Sequence, residues 1–194
     1  MSVMIGLTGP TGAGKSLAAS EAEKFGLTVI DCDITARKAT EKGTEGLKAL
    51  TDVFGKKILN GDGTLNRKAL AKAAFATEEK TELLNRTLLP HIVTLVEKQA
   101  EGKNVLVDAP TLFQSGLDRQ CFKTVAVLAD DETRIKRIMR RDGITLNEAR
   151  LRLGAGKTDA FFKDRADYVI YNNGNESEFK KRFCNILKEI TEEL

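Results

Sequence analysis

Several residue types that mark particular classes of protein are scarce in this sequence. It has three cysteines among 194 residues, far apart and in no C-x-x-C pair, and a single histidine, His91. This cysteine usage excludes a disulfide framework and a cysteine-ligated zinc site, and it fits a reducing compartment. His91 lies in a predicted helical region, where a lone histidine is more often structural or a substrate contact than a catalytic base.

The sequence also has no large excess of charge of one sign and no long apolar run. Basic residues number 31 and acidic residues 28, so the net charge of +3 does not by itself indicate a nucleic-acid partner. No run is long enough to span a membrane, and polar, glycine-rich sequence begins at Gly6, where a secretory signal would need an apolar stretch. We therefore expect one cytoplasmic domain, 1–194, that binds neither membrane nor nucleic acid and exists as a monomer or a small homo-oligomer.

A phosphate-binding motif lies close to the start of the chain. Gly9 to Ser16 matches G-x-x-x-x-G-K-[ST] in full, after an apolar run over 3–8 and before a predicted helix over 17–25. In such a loop backbone N–H groups turn toward a phosphate, the lysine reaches the β- and γ-phosphates, and the serine hydroxyl binds Mg²⁺. The motif predicts an ATP site with Ser16 as the Mg²⁺ ligand. Its residues are Thr11, Gly12, Ala13, Gly14, Lys15, Ser16 and Leu17.

Short apolar runs alternate with helical patterns along the rest of the chain. The runs cover 3–8, 27–30, 104–107, 124–128 and 168–170. Buried strands separated by helices are typical of βα units, in which the strands pair in parallel. The pattern therefore predicts a three-layer α/β/α fold of the P-loop NTPase type with a mostly parallel five-stranded sheet.

The stretch between the second and third runs is predicted to be a helical insertion. Helices are expected over 34–42, 45–54, 67–74 and 78–100, with a turn at 60–63. Pro90 is expected to kink the last of these helices or to begin a new one. Because a helical insertion is a usual way to build a substrate lobe over a sheet, 34–100 is predicted to form an acceptor-binding sub-domain.

Basic residues concentrate in a later segment. A helix predicted over 131–141 carries Arg134, Lys136, Arg137, Arg140 and Arg141, and Thr145 is expected to cap a second helix over 146–153. Phosphoryl transfer depends on cations around the transferring group, so we predict a helical lid over 134–165. A solvated basic face is the alternative.

Carboxylates follow two of the predicted strands. Asp31 and Asp33 come after 27–30, and Asp108 comes after 104–107. Parallel sheets bind ligands at the carboxyl ends of their strands, which places these side chains near the glycine loop. Phosphoryl transfer needs a group that orients or deprotonates the nucleophile, and both Asp31 and Asp33 qualify. Asp31 could instead cap the following helix, and Asp108 could hold Mg²⁺ through water or cap the strand end.

Spaced blocks of this sequence, from Ile5 to Gly174, resemble the dephospho-coenzyme A kinase family. The blocks are G-L-T-G at 6–9, V-I-D-C-D at 29–33, D-G-T-L-N-R at 62–67, R-R-D at 140–142, R-A-D-Y-V-I at 165–170 and N-N-G at 172–174. Spaced blocks of this kind are more specific than the glycine loop alone.

The resemblance implies transfer of the γ-phosphate of ATP to the ribose 3′-hydroxyl of dephospho-CoA, the last step of coenzyme A synthesis. It implies that Asp33 is the catalytic base beside Lys15. It also implies that Arg37 and Arg67 lie toward dephospho-CoA, and that Arg137 and Arg141 lie toward ATP. Asp108 completes the residues predicted on the substrate side.

Some positions depart from the family pattern, and they belong to the acceptor lobe and the lid. Leu89 and Gln114 replace a usual histidine and a usual acidic residue, and Gly154 stands where a lid glutamine is usual. Two alternatives therefore stay open. One is a related P-loop kinase for another small metabolite or nucleotide, and the other is a catalytically silent nucleotide-binding regulator.

Overall fold

The computed structural model describes residues 3–193, and the chain divides into two compact units. A sheet unit comprises 1–30 and 102–194, and a helical unit comprises 31–101. The helical unit is a single insertion, because both of its ends join the sheet unit.

The sheet has five strands, as the alternating pattern predicts. They are β1 (Met4–Thr8), β2 (Thr28–Asp31), β3 (Val105–Asp108), β4 (Lys123–Leu128) and β5 (Tyr168–Tyr171), in the spatial order β2-β3-β1-β4-β5. β1 pairs in parallel with β3 and β4, and β4 pairs in parallel with β5. The predicted three-layer fold with a parallel sheet is confirmed.

Ten α-helices connect and flank the strands within residues 3–193. In chain order they are α1 (Lys15–Lys24), α2 (Cys32–Ala39), α3 (Glu45–Phe54), α4 (Arg67–Ala74), α5 (Glu78–Ala100), α6 (Leu112–Ser115), α7 (Asp131–Asp142), α8 (Leu146–Gly154), α9 (Asp159–Lys163) and α10 (Glu176–Glu192). Two short 3₁₀ turns cover Lys56–Ile58 and Leu117–Gln120. Among the helices that the structure describes, none is both long and apolar enough to cross a bilayer.

The core of the sheet unit follows from the alternation of side chains along each strand. In β4, Val125 and Val127 belong to a buried cluster that includes Phe179 and Phe183 of α10. The same cluster contains buried residues of α1. Ala126 and Leu128 point to the opposite face and pack with Phe162 of α9. Since successive strand residues point to opposite faces, one apolar strand fills both cores and holds helices on both sides.

The helical unit has its own core, formed by α3, α4, α5 and the 3₁₀ turn at 56–58. Leu50 and Ile58 are fully buried in it. α5 runs through Pro90 as one helix, so no new helix begins there. A proline inside a helix costs about 3 kcal/mol. The helix persists because it is anchored on both sides of Pro90: Leu83 and Leu88 before it pack on this core, and Val96 after it is buried.

Candidate functional site

The glycine loop joins β1 to α1 and depends on residues without a side chain. Gly9, Gly12 and Gly14 have φ values of 141°, 79° and 100°, a region that favours glycine. A Cβ at Gly9 would collide with the carbonyl oxygen of Val127, and one at Gly14 would collide with the side-chain amide of Asn172. The loop therefore lies against the ends of neighbouring strands, and at Gly9 and Gly14 there is room for glycine only.

Lys15 and Ser16 stand at the start of α1. The Lys15 ammonium donates a hydrogen bond to the Gly9 carbonyl at 2.9 Å, so its side chain returns across the loop. The Ser16 side chain is exposed. No side chain caps α1 at Gly14, which leaves the positive helix end open to an anion.

Three side chains bond to the loop carbonyls from outside the motif, and we call them the loop-supporting residues: Arg134, Arg137 and Asn172. Arg134 Nε donates to the Thr11 carbonyl at 3.0 Å. Arg137 Nη1 donates to the carbonyls of Gly12 and Ala13 at 3.3 and 3.1 Å. Asn172 Nδ2 donates to Ala13 at 2.9 Å. These bonds turn three consecutive carbonyls, those of Thr11, Gly12 and Ala13, toward the loop-supporting residues and away from the inside of the loop.

Arg137 and Arg141, both predicted to lie toward ATP, have different partners in the structure. Besides the loop carbonyls, Arg137 binds the Asn172 carbonyl through Nη2 at 2.9 Å, and its partial burial lowers its pKa. Arg141 is exposed and forms two bonds to Asp142, from Nε at 2.7 Å and from Nη2 at 2.9 Å. The hydrogen bond from Arg141, helped by Arg152, holds the pKa of Asp142 below its ordinary value.

Asp108 is the last residue of β3 and lies beside the strand that leads into the loop. It is the register partner of Leu7, and the next N–H, that of Ala109, donates to the Leu7 carbonyl at 3.0 Å. Its partly buried side chain belongs to the same strand end as the glycine loop. The sequence-based placement of Asp108 near the loop therefore agrees with the sheet register.

Four predicted residues belong to the helical unit. Asp31 caps α2, because its Oδ1 accepts from the N–H groups of Asp33 at 2.7 Å and Ile34 at 3.0 Å. Asp33 lies in the first turn of α2 and is exposed, and Arg37 is exposed in the last turn. Arg67 is the exposed first residue of α4, which Asn66 caps. Of the two aspartates left open by the sequence, Asp31 has the structural role.

His91 is half-buried in the middle of α5, and no metal cluster surrounds it. Among residues 3–193, no three histidine, cysteine, aspartate or glutamate side chains form a group that could hold a metal ion. A magnesium ion commonly uses one or two protein ligands together with phosphate oxygens and water. The exposed Ser16 hydroxyl at the start of α1 therefore fits Mg²⁺ bound with a nucleotide.

Sequence reasoning missed two of the loop-supporting residues as part of the site. Arg134 was expected in a basic lid helix, but its side chain is 4% exposed and also pairs with Asp131 and Asp159. A spacing of three places Arg134 and Arg137 on the same helix face, which was the available signal. For Asn172, the only signal in the sequence that pointed to the site was its position just after the last predicted strand.

A glycine loop of this geometry, between a buried parallel strand and a helix that begins with Lys15 and Ser16, defines a P-loop nucleotide-binding protein. The family model for dephospho-CoA kinase matches residues 3–178. The chain belongs to the dephospho-CoA kinase family.

Individual relatives agree with this assignment over nearly the whole chain. The dephospho-CoA kinase of Oryza sativa is 34% identical in an alignment 197 residues long, which covers 98% of this chain and 86% of the relative. That of Listeria monocytogenes is 36% identical over 194 residues, covering 97% of each. The crystal structure of TT1252 from Thermus thermophilus is similar with a TM-score of 0.80 at 28% identity, covering 97% of both chains.

Proposed function

We propose that this protein transfers the γ-phosphate of ATP to the ribose 3′-hydroxyl of dephospho-CoA, the last step of coenzyme A synthesis. In this reaction the bond between the γ-phosphorus and the bridging oxygen breaks. A bond from the 3′-oxygen to phosphorus forms, and the hydroxyl proton leaves. The observation that carries the proposal is a complete phosphate loop in a chain that matches one kinase family from residue 3 to residue 178.

The sheet unit supplies the nucleotide side of this reaction. The N–H groups of Gly12 to Ser16 would surround the ATP phosphates, as in other loops of this motif. Lys15 neutralises charge on the β- and γ-phosphates, and Thr11 and Leu17 border the site. Arg137 and Arg141 add positive charge toward ATP. Arg141 is exposed beside Asp142, so it can exchange that partner for a phosphate.

The helical unit supplies the acceptor side. Asp33 accepts the proton of the 3′-hydroxyl, and this assignment is supported by the use of Asp31 as the helix cap. Arg37 and Arg67 are exposed cations suited to the anionic groups of dephospho-CoA. Asp108, at the end of β3 in the sheet unit, is assigned to the acceptor on the resemblance to the family. The helical unit, 31–101, is the acceptor-binding sub-domain in this proposal.

Ser16 would hold Mg²⁺ through its hydroxyl. When bound, the ion neutralises negative charge on the phosphates. The chain's own contribution is the position of that hydroxyl, one residue after Lys15 in the first turn of α1.

The predicted lid over 134–165 stays a prediction. Its first two arginines, Arg134 and Arg137, are bonded to the loop, and Phe162 of α9 is buried in the core of the sheet unit, so closure would involve α8, beyond Gly143. We also propose that the enzyme acts in the cytoplasm as a monomer or a small homo-oligomer, without membrane or nucleic acid. The near-balanced charge and the three cysteines, none of which forms a disulfide in the described part of the chain, support this setting.

The test is ADP release from ATP and Mg²⁺ with dephospho-CoA, run beside adenosine, shikimate and no acceptor. We expect turnover that depends on dephospho-CoA, with the phosphate on the 3′-oxygen of the product. Turnover with another acceptor alone would mean a kinase of altered specificity. ATP binding without turnover on any acceptor would mean a silent nucleotide-binding protein.

A further inference from the structure

Asn172 lies outside the glycine loop, and all the polar groups of its side chain are engaged around that loop. It follows β5, is 3% exposed, and its backbone N–H donates to the carbonyl of Leu128, at the end of β4, at 2.8 Å. Its side-chain Nδ2 donates to the Ala13 carbonyl at 2.9 Å, and its Oδ1 accepts from Arg137 Nη2 at 3.3 Å. One asparagine thus joins two strand ends, α7 and the loop.

The bond to Ala13 controls the direction of the next N–H group. A peptide unit is planar and trans, so the Ala13 carbonyl and the Gly14 N–H point in opposite directions. The carbonyl is held by both Asn172 and Arg137, at 2.9 and 3.1 Å. The Gly14 N–H is therefore directed away from Asn172, as it must be if it is to face a phosphate in this motif.

Gly14 and Asn172 also fit each other sterically. Gly14 has a φ of 100°, and a Cβ at this position would occupy the place of the Asn172 amide nitrogen. The missing side chain at Gly14 is what lets the asparagine amide reach the loop backbone. The two residues therefore form one feature, although 158 positions separate them (172 − 14).

We propose that Asn172 is a positioning residue for nucleotide binding. Its amide keeps the Ala13–Gly14 peptide in the orientation that presents the Gly14 N–H to a phosphate of ATP, and Arg137 holds that amide in one orientation. This inference rests on the proposed function, which assigns the ATP phosphates to this loop. Because Asn172 bonds to the loop, its loss should weaken ATP binding and leave the affinity for dephospho-CoA unchanged.

The test compares Asn172→Ala and Asn172→Asp with two matched controls. Asn172→Asp keeps the size of the side chain and an acceptor for Arg137, but it replaces the donor to Ala13 with an oxygen and adds a negative charge. Asn173→Asp adds the same charge one residue later, where Asn173 Oδ1 accepts from the Asp130 N–H at 2.7 Å. Asn175→Ala removes the cap of α10, which accepts from the Ser177 N–H at 2.7 Å, and it destabilises the fold without touching the loop.

The readouts are the Kd for ATP from calorimetry, the KM values for both substrates, the Tm of each variant and amide hydrogen exchange in 9–17. For both Asn172 variants we expect a roughly 10- to 100-fold higher Kd and KM for ATP, an unchanged KM for dephospho-CoA and faster exchange in the loop. The two controls should keep the wild-type Kd even where their Tm falls.

Two results would overturn the inference. One is an ATP Kd in both Asn172 variants equal to that of Asn175→Ala, and the other is an equal rise in the KM for both substrates. Failure of the proposed function looks different: the wild-type chain would bind ATP without phosphorylating dephospho-CoA. In that case the Kd comparison among the variants still decides the role of Asn172.

Discussion

The loop-supporting residues of the sheet unit and the predicted acceptor residues of the helical unit are held in opposite ways. In the sheet unit, Arg134 and Asn172 are buried, and together with the half-buried Arg137 they bond to loop carbonyls. In the helical unit, Asp33, Arg37 and Arg67 are exposed, and among residues 31–101 none of these side chains has a hydrogen bond or ion pair. The loop backbone is held by side chains of the protein itself, whereas the helical unit presents exposed charges to solvent.

This difference has an energetic consequence for the two substrates. A loop whose carbonyls are held by buried donors has less backbone to order when it receives a phosphate. An exposed arginine loses up to about 2 kcal/mol of side-chain entropy when a ligand fixes it. We therefore expect substitutions in the sheet unit to act on ATP, and single substitutions at the exposed arginines to have smaller effects on dephospho-CoA.

The largest effect is expected for Lys15→Ala. Loss of the ammonium removes positive charge from the transferring phosphate, and turnover should fall by roughly 10³-fold or more. Steady-state ADP release measures the loss. The control is Lys24→Ala, which removes the same charge from the last turn of the same helix, where Lys24 pairs with Glu21 at 2.8 Å. Unchanged turnover in Lys15→Ala would contradict the assignment of the nucleotide site.

Asp33→Asn should lower kcat by roughly 10²–10⁴-fold and leave the Kd for ATP unchanged, because the amide cannot accept the hydroxyl proton. The matched control is Asp31→Asn. Asparagine caps a helix as well as aspartate does, so this variant should keep α2 and most of the activity. Near-normal turnover in Asp33→Asn would move the role of the base to Asp31 or Asp108.

Arg37→Ala and Arg67→Ala should each raise the KM for dephospho-CoA by about 10-fold, the effect of losing one charged hydrogen bond of about 1.4 kcal/mol. The Kd for ATP should not change. Lys38→Ala and Lys68→Ala are the controls, because each removes an exposed charge from the adjacent position of the same helix. A rise in KM for ATP in place of dephospho-CoA would contradict the separation of the two sides.

The smallest effect is expected for Asp142→Asn. Arg141 and Arg152 hold the pKa of Asp142 below its ordinary value of 3.8, so its stabilising contribution is present above that pH and is lost as the pH falls through the lowered pKa. The variant should have a slightly lower unfolding midpoint in urea at neutral pH, and the difference should vanish in acid. Glu132→Gln, which breaks a more exposed pair with Lys136 at 4.0 Å, should change neither midpoint. A difference that persists in acid would mean that Asp142 acts through something other than its charge.

Much of the fold follows from local patterns. The predicted helices over 45–54, 67–74 and 78–100 have the same bounds in the structure, because the apolar spacing lies within each segment and a capping residue directly precedes it: Thr44, Asn66 and Thr77. Thr145 caps α8, as predicted, and the structure shows that Glu148 completes a capping box with it. The new helix that Pro90 was a candidate to begin is the exception. Packing along α5 outweighs the local tendency of proline to interrupt a helix, and the sequence pattern shows only that local tendency.

The site was predictable where its residues are neighbours in the chain, and not where distant segments meet. Gly9 to Ser16 form one continuous motif, so its spacing alone indicated phosphate binding, whereas the resemblance to the family rested on spaced blocks from Ile5 to Gly174. The burial of Arg134 and the bond from Asn172 to Ala13 depend on β5 and α7 packing against a loop more than a hundred residues earlier in the chain. Only the tertiary structure decides such contacts, since a buried donor is distinguished from an exposed one by what surrounds it and not by its residue type.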